Sequence, residues 1–149
     1  LQWVSLMPYK NPKPTVDIII DQNASVLLIK RRNPPFGWAL PGGFVDEGES
    51  VEEAAIREAK EETNVDITLK HLLYVYSNPN RDSRQHNISI VFIADAFGEV
   101  IPGDDATQAQ FFPLNQLPIL AFDHQEIISD YIHWKESGLN PDPSEKLPT

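Results

Sequence analysis

Three glutamates, Glu58, Glu61 and Glu62, stand in a segment that favours a helix, and they are the side chains best suited to chemistry in this sequence. At about 100° per residue, Glu58 and Glu62 fall on the same helix face as Val51 and three alanines, with Glu61 at its edge. An inward-facing carboxylate without a partner is costly, and like charges four residues apart repel each other. A hard divalent cation such as Mg²⁺ removes this conflict because it takes carboxylate oxygens as ligands. A solvent-exposed acidic helix is the alternative interpretation.

A glycine-rich turn precedes this helix. Gly42 and Gly43 follow the segment Trp38-Ala39-Leu40-Pro41, and paired glycines let a backbone approach other groups closely. The carbonyl of Gly43 can therefore reach the cation that the helix carboxylates would hold. The turn and the helix are predicted to form one metal site.

The combined segment resembles the Nudix box of the Nudix hydrolase family, G-x5-E-x7-R-E-U-x-E-E-x-G-U, where U is a bulky aliphatic residue. It reads Gly43-x5-Glu49-x7-Arg57-Glu58-Ala59-x-Glu61-Glu62-x-Asn64-Val65, so every fixed polar position matches. Two positions depart from the pattern. Ala59 is smaller than the usual aliphatic residue, and Asn64 replaces the last glycine, where asparagine is the next-best residue for a left-handed helix end.

The resemblance implies a fold, a reaction and a role for each residue of the box. The expected fold is α/β, a Nudix-type α/β/α sandwich around a central mixed sheet. The expected reaction is Mg²⁺-dependent hydrolysis of a nucleoside diphosphate linked to another moiety, with Mn²⁺ able to substitute. The ligands would be Glu58, Glu61 and Glu62, assisted by Glu49 and the Gly43 carbonyl. Arg57 would orient the glutamates, a task that suits a bidentate guanidinium.

Charged residues outside the box are candidates for catalysis or substrate binding. Arg81 and Arg84 lie in a polar loop before a predicted strand and could hold phosphate or ribose hydroxyls, although a merely charged loop is equally compatible. Arg32 ends the basic cluster 30–32, which could face the diphosphate or protect a sheet edge. Some family members place an acidic loop residue near Asp105 as a ligand or base, and an ordinary turn is the alternative.

Three aromatic residues, Trp3, Phe36 and Trp38, are candidates for stacking on an adenine base. Core packing is the alternative for Trp38, which enters a predicted strand. Phe36 lies in the preceding turn-rich segment.

The wider similarity, over about residues 15–132, is to small prokaryotic ADP-ribose pyrophosphatases. It implies that ADP-ribose is hydrolysed to AMP and ribose 5-phosphate. A hydrolase of oxidised or non-standard nucleoside triphosphates is an alternative enzyme. A non-catalytic ADP-ribose-sensing module is an alternative of another class, but such modules typically carry a degraded box, whereas this box is intact.

Regular elements must position these residues. Runs of β-branched and aromatic residues predict strands at 15–20, 25–32, 67–76, 87–97 and 109–114. Two capping boxes, Ser50 with Glu53 and Asp123 with Glu126, predict helices at about 50–63 and 124–136. The expected organisation is an extended arm at 1–14, a Nudix domain at 15–137 and a Pro-rich flexible tail at 138–149.

Composition narrows the possible partners. The 149 residues carry a net charge of −10, which disfavours nucleic acid as a partner, and they contain no cysteine. No apolar run approaches the length of a membrane helix, so a membrane partner is not expected. We expect a cytoplasmic enzyme that acts on a small nucleotide sugar, with a homodimer possible through the arm at 1–14.

Overall fold

The computed structural model describes residues 9–148, and within them the chain forms two long helices and seven strands. The strands are β1 (Lys13–Gln22), β2 (Ser25–Arg31), β3 (Gly37–Ala39), β4 (Gly42–Phe44), β5 (Asp66–Tyr76), β6 (Asn87–Phe97) and β7 (Ala106–Pro113). The helices are α1 (Val51–Thr63) and α2 (His124–Ser137), and a short 3₁₀ helix spans Pro143–Glu145. Every predicted strand and helix is present. The strand that Trp38 was expected to enter is β3, whereas the three-residue strand β4 was not predicted.

The strands form a mixed sheet in the order β3-β2-β1-β6-β5. β1 runs parallel to β6, while β4 pairs with β1 and β7 pairs with β2, both antiparallel. Side chains alternate across the central strand: Val16, Ile18 and Ile20 face one core and Ile19 faces the other. A strand that is buried on both faces is therefore apolar at its centre, with Asp17 as the exception.

One helix covers each face of the sheet, which confirms the predicted α/β/α sandwich. Helix α1 packs through three small residues, Ala54, Ala55 and Ala59, and α2 packs through larger ones, chiefly Ile127, Ile128 and Tyr131. Among residues 9–148, neither helix has the length and hydropathy needed to cross a membrane.

The two helices begin and end differently. The capping box of α1 is confirmed, since Ser50 and Glu53 exchange side-chain and backbone hydrogen bonds. Asn64 ends α1 in the left-handed region at φ 68°, as its place in the box predicts. The capping box predicted for α2 is wrong: the Asp123 side chain caps nothing, because both of its oxygens accept hydrogen bonds from Arg81.

The two ends of the chain bear on the predicted domain boundaries, which stay a prediction. β1 begins at Lys13, inside the range predicted as an arm, and the Lys13 amide already bonds to the carbonyl of His86. Residues 1–8, including Trp3, lie outside the described part of the chain. Near the other end, Lys146 contacts Glu126 and Asp130 of α2 at 2.8 and 2.6 Å. This part of the tail is held more firmly than its Pro-rich composition suggests.

Candidate active site

A cavity of about 430 Å³ opens where the start of β4, the end of α1 and the loop before β6 meet. Six of the residues proposed from the sequence line it: Gly43, Glu58, Glu62, Arg81, Arg84 and Asp105. The other six, Arg32, Phe36, Trp38, Glu49, Arg57 and Glu61, lie outside its lining. Three of these six, Glu49, Arg57 and Glu61, belong to the Nudix box. Arg57 contacts two lining residues, Glu58 and Phe44, and it also binds Glu49 and Glu61.

Glu62 is the most buried carboxylate of the Nudix box, with 7% of the residue exposed. Its Oε1 accepts a hydrogen bond from the Gly42 amide at 3.3 Å, whereas its Oε2 is buried without a partner among the described residues. Burial, and then the negative charge of Glu58, raise the pKa of Glu62 well above its ordinary value. Burial also raises the pKa of Glu58, although Arg57 opposes this shift. The fold therefore holds two carboxyl groups where neither is favourably ionised alone.

Arg57 connects the acidic residues of the box. Its Nε and Nη2 donate to the Glu49 carboxylate at 2.7 and 2.9 Å, and its Nη1 donates to Glu58 at 2.8 Å and to Glu61 at 3.1 Å. Its Nη2 also donates to the Phe44 carbonyl at 3.0 Å. The hydrogen bond from Arg57 lowers the pKa of Glu49 to about 2, and Glu49 in turn raises the pKa of Arg57. Arg57 thus contacts three glutamates, and its role in orienting them for a metal stays a prediction.

The donor set fits a hard divalent cation. A carboxylate oxygen with no partner is buried at Glu62, and the backbone at Gly43 comes so close to Glu58 that a Cβ there would lie 2.5 Å from its carboxyl carbon. Within residues 9–148 no three acidic or histidine side chains already surround one point. The reason is visible at Arg57, whose guanidinium takes up oxygens of Glu49, Glu58 and Glu61. Glu58 and Glu62 are the residues best placed to hold a metal, with Glu61 and Glu49 beside them.

Arg81 lies in the cavity wall but is engaged by the protein itself. Its guanidinium makes two hydrogen bonds to Asp123, at 2.7 and 2.9 Å, and lies 3.7 Å from Asp17. Only 4% of its side chain is exposed. These carboxylates raise the pKa of Arg81 against the effect of burial. Its contacts join the loop before β6 to α2, and its role in substrate binding stays a prediction.

Arg84 is more accessible and forms one corner of the cavity. It pairs with the buried Asp82 at 2.8 Å, and its guanidinium lies over the Phe122 ring, 5.4 Å from the ring centre. Arg31 lies over the same ring at 4.9 Å. Phe122 holds this position with a left-handed backbone, at φ 57°, a conformation that is strained for an aromatic residue.

The remaining predicted residues have separate locations. Asp105 reaches the cavity because Gly103 packs against the end of α1, its amide donating to the Glu62 carbonyl at 2.7 Å. Arg32 donates to the Ala106 carbonyl at 3.3 Å. Phe36 is 69% exposed beside the opening segment of β3. Trp38 packs edge-on against Phe112 in the α2-side core, which is the alternative interpretation given above for this residue.

The whole arrangement lies within a recognisable domain. Residues 11–134 match the family model of the NUDIX domain. The chain belongs to the Nudix hydrolase family. The resemblance seen in the sequence is thereby confirmed.

Individual relatives of this Nudix hydrolase are similar over most of its length. It is 58% identical over 130 residues to a protein of Methanocaldococcus jannaschii named ADP-ribose pyrophosphatase, covering 85% of this chain and 77% of that one. A NUDIX hydrolase structure from Nitrosomonas europaea matches with a TM-score of 0.80 at 28% identity, covering 89% of this chain and 77% of that one. The NUDIX domain of NrtR from Shewanella oneidensis, determined in complex with ADP-ribose, matches with a TM-score of 0.72 at 31% identity, covering 89% and 97%.

Several residues that line this Nudix hydrolase site were not selected from the sequence, and four of them are polar or aromatic groups at its centre or corner. Arg31 belongs to the cluster 30–32, from which only Arg32 was chosen, and Asp17, Phe122 and His124 were not proposed at all. Buried His124 accepts the Leu40 amide proton at Nδ1, at 3.0 Å, and its Nε2 lies 3.5 Å from Asp17. A charged Asp17 within an otherwise apolar central strand was the one sequence signal that could have indicated this part of the site.

Proposed function

We propose that this Nudix hydrolase cleaves ADP-ribose, in the presence of Mg²⁺, to AMP and ribose 5-phosphate. More generally, its substrate is a nucleoside diphosphate linked to another moiety. Water adds to one phosphorus while the bridging P–O bond breaks, so each product keeps one phosphate and a proton is released. The 58% identical relative named ADP-ribose pyrophosphatase and the NrtR domain in complex with ADP-ribose support this substrate class.

The observation that carries the proposal is the pairing of unlike charges within one cavity. Glu58 and the partnerless Oε2 of Glu62 line it together with the guanidinium groups of Arg31 and Arg84. Carboxylates that accept a cation, facing the same space as fixed cations, form a site that suits a diphosphate. A purely acidic cavity would hold a metal but would repel the substrate.

The residues of the chain then have distinct tasks. When bound, Mg²⁺ would neutralise phosphate oxygens and make a water molecule more acidic. Glu58 and Glu62 would hold it, with Glu61 and Glu49 assisting. Arg57 would keep Glu49, Glu58 and Glu61 in position. The Gly43 carbonyl and Asp105 are proposed to take part at the edge of the same space.

Further parts of the proposal concern the substrate's other groups and the assembly. Arg84 is proposed to bind phosphate, Arg32 and Arg81 to support that side of the site, and Phe36 and Trp38 to lie near the adenine. Mn²⁺ is proposed to substitute for Mg²⁺. The enzyme is proposed to act in the cytoplasm without nucleic-acid or membrane partners, and a homodimer formed through residues 1–14 remains a proposal as well.

A substrate panel tests the central statement. Purified protein with Mg²⁺ is given ADP-ribose, other nucleoside diphosphate sugars, 8-oxo-dGTP and unmodified triphosphates, and the products are resolved by chromatography. We expect the highest kcat/KM for ADP-ribose and equal amounts of AMP and ribose 5-phosphate. A much higher kcat/KM for 8-oxo-dGTP or another triphosphate would overturn the substrate, and binding of ADP-ribose without turnover would indicate a sensing module.

A further inference from the structure

One corner of the cavity concentrates positive charge in an otherwise acidic protein. We call it the Phe122 corner: Phe122, Arg31, Arg84 and Asp82, with the carbonyl of Pro34. The guanidinium groups of Arg31 and Arg84 lie 4.9 and 5.4 Å from the centre of the same ring. Both also donate to the Pro34 carbonyl, at 3.4 and 3.5 Å. Two cations therefore share one aromatic ring and one carbonyl oxygen.

The two arginines of the corner are not equally compensated. Arg84 makes hydrogen bonds to both oxygens of Asp82, at 3.1 and 2.8 Å. Arg31 makes its hydrogen bonds to the backbone carbonyls of Pro35 and Pro34, and no carboxylate of residues 9–148 forms an ion pair with it. Arg57 and Arg81, in contrast, each contact two or more carboxylates. The corner therefore contains one guanidinium, that of Arg31, without a carboxylate in direct ion-pair contact.

The corner is held together at a cost to the folded protein. Burial and the charge of Arg84 lower the pKa of Arg31, so its positive charge is disfavoured where it lies. Phe122 adds a strained left-handed backbone at φ 57°. Strain and uncompensated charge at the wall of a cavity are typical of a site that completes its contacts only with a ligand.

The ligand of the corner must be an anion within reach of the glutamates, since Arg31 lines the same cavity as Glu58 and Glu62. We propose that Arg31, positioned by Phe122 and supported by Arg84, binds the phosphate of the diphosphate that does not lie against Glu58 and Glu62. This inference rests on the proposed function and makes it more specific. Arg31 would select substrates that carry two linked phosphates, one for each end of the cavity.

The test compares three variants with the wild type. Arg31→Met removes the charge at similar length, Arg31→Lys keeps the charge but loses the planar fork, and Lys135→Met is the matched control. Lys135 also lies over an aromatic ring, that of Tyr131, but outside the cavity. Equilibrium affinity for ADP-ribose is measured by calorimetry in EDTA, where no turnover is expected. Steady-state kinetics with Mg²⁺ then give kcat, KM and the inhibition constant of inorganic pyrophosphate.

We expect Arg31→Met to weaken ADP-ribose binding roughly tenfold to a hundredfold, as for a lost charge-assisted hydrogen bond. The inhibition constant of pyrophosphate should rise by a similar factor, with Arg31→Lys intermediate and Lys135→Met within about twofold of the wild type. The melting temperature of Arg31→Met should not fall, because a half-buried charge without a carboxylate in ion-pair contact is removed. This combination separates ligand binding from a structural role, in which stability and affinity would fall together.

Three results would overturn the inference. They are unchanged ADP-ribose affinity in Arg31→Met, weaker ADP-ribose binding with unchanged pyrophosphate inhibition, and no inhibition of the wild type by pyrophosphate. Failure of the proposed function is a different result. A wild type that binds but does not hydrolyse ADP-ribose would contradict that function, and the affinities in EDTA would still test Arg31.

Discussion

The two faces of the sheet place acidic groups in opposite situations. On the α2 side, Asp130 accepts hydrogen bonds from Tyr76 and Lys146 at 2.8 and 2.6 Å, and Asp123 holds Arg81. On the α1 side, Glu62 keeps a buried oxygen without a partner. Charges that stabilise a fold are matched within it, whereas charges kept for a ligand remain incompletely matched in the free protein.

The packing residues differ in the same way. Ile127, Ile128 and Tyr131 fill the α2 side with large side chains, and the alanines of α1 leave the glutamates room near the sheet. Stability and activity should therefore respond separately to changes on the two faces. The following predictions examine that separation, from the largest effect to the smallest.

The strongest contrast is between Glu62→Gln and Asp130→Asn. We expect Glu62→Gln to lower kcat/KM for ADP-ribose at least ~100-fold. Loss of a residue that only hydrogen-bonds to a metal ligand typically has a smaller effect. Its melting temperature in EDTA should stay the same or rise, because the amide ends the repulsion with Glu58. Asp130→Asn should lose about 1–2 kcal/mol of stability and keep near-normal kcat/KM. Both variants are compared by kcat/KM and by thermal unfolding. Loss of activity in Asp130→Asn but not in Glu62→Gln would contradict the proposed difference between the two faces.

Stabilisation of the folded protein by metal should depend on residues of the α1 face and not on those of the α2 face. At a Mg²⁺ concentration about 100 times the dissociation constant, we expect about 2.7 kcal/mol of added stability for the wild type. For a chain of this length, that corresponds to a rise of roughly 5–10 °C in melting temperature. The same rise should occur in Asp130→Asn and be much smaller in Glu62→Gln. Differential scanning calorimetry with EDTA and with Mg²⁺ measures this, and an equal rise in all three proteins would contradict metal binding at Glu62.

Two glycines that lie at the C-terminal ends of the helices, Gly103 against α1 and Gly138 after α2, offer a third comparison. A Cβ at Gly103 would lie 1.9 Å from the Glu61 carbonyl oxygen, so Gly103→Ala must displace the loop that carries Asp105 or the end of α1. We expect a loss of about 1–3 kcal/mol and a lower kcat. Gly138→Ala, at the end of α2, meets no atom within 4 Å and suffers only from its φ of 76°. It should lose about 1 kcal/mol with kcat unchanged. If kcat changed equally in the two variants, the position of the loop that carries Asp105 would not depend on Gly103.

The smallest effect is expected at Asn64, where the family pattern has glycine. Asn64→Gly relieves the left-handed backbone but loses the side-chain hydrogen bond to the Glu99 carbonyl at 3.1 Å, so stability should change by less than about 0.5 kcal/mol. Asn64→Val should lose about 1 kcal/mol or more, because a β-branched residue is disfavoured at φ 68°. Chemical denaturation measures both differences. An Asn64→Val protein as stable as the wild type would contradict the role of the helix end.

Local patterns explain why much of the architecture could be predicted. Strands of seven or more residues show their burial directly in sequence, and Ser50 with Glu53 marks the start of α1 within one turn. The bounds of β3 were not given and β4 was missed because three residues are too few to show alternation. They are strands because β2 and β1 offer them edges to pair with.

The same distinction applies to the site. Glu58, Glu61 and Glu62 lie within one helix, so their proximity follows from helical spacing alone. The Phe122 corner joins residues from β2, the loop before β6 and the segment before α2, and no spacing along the chain connects them. Asp123 was read as a helix cap because its partner Arg81 lies 42 residues away. Contacts made only by tertiary folding could not be predicted.

The parallel pairing of β1 with β6 has a consequence for the order in which the chain folds. Thr15 bonds to the Ile88 carbonyl across 73 residues of chain, so the centre of the sheet cannot close until β6 has been made. Closing so long a loop is slow and entropically unfavourable. During synthesis, α1 and its glutamates leave the ribosome well before the strand that completes the sheet beneath them. We therefore expect the acidic residues of the site to reach their final places only after β6 has been made.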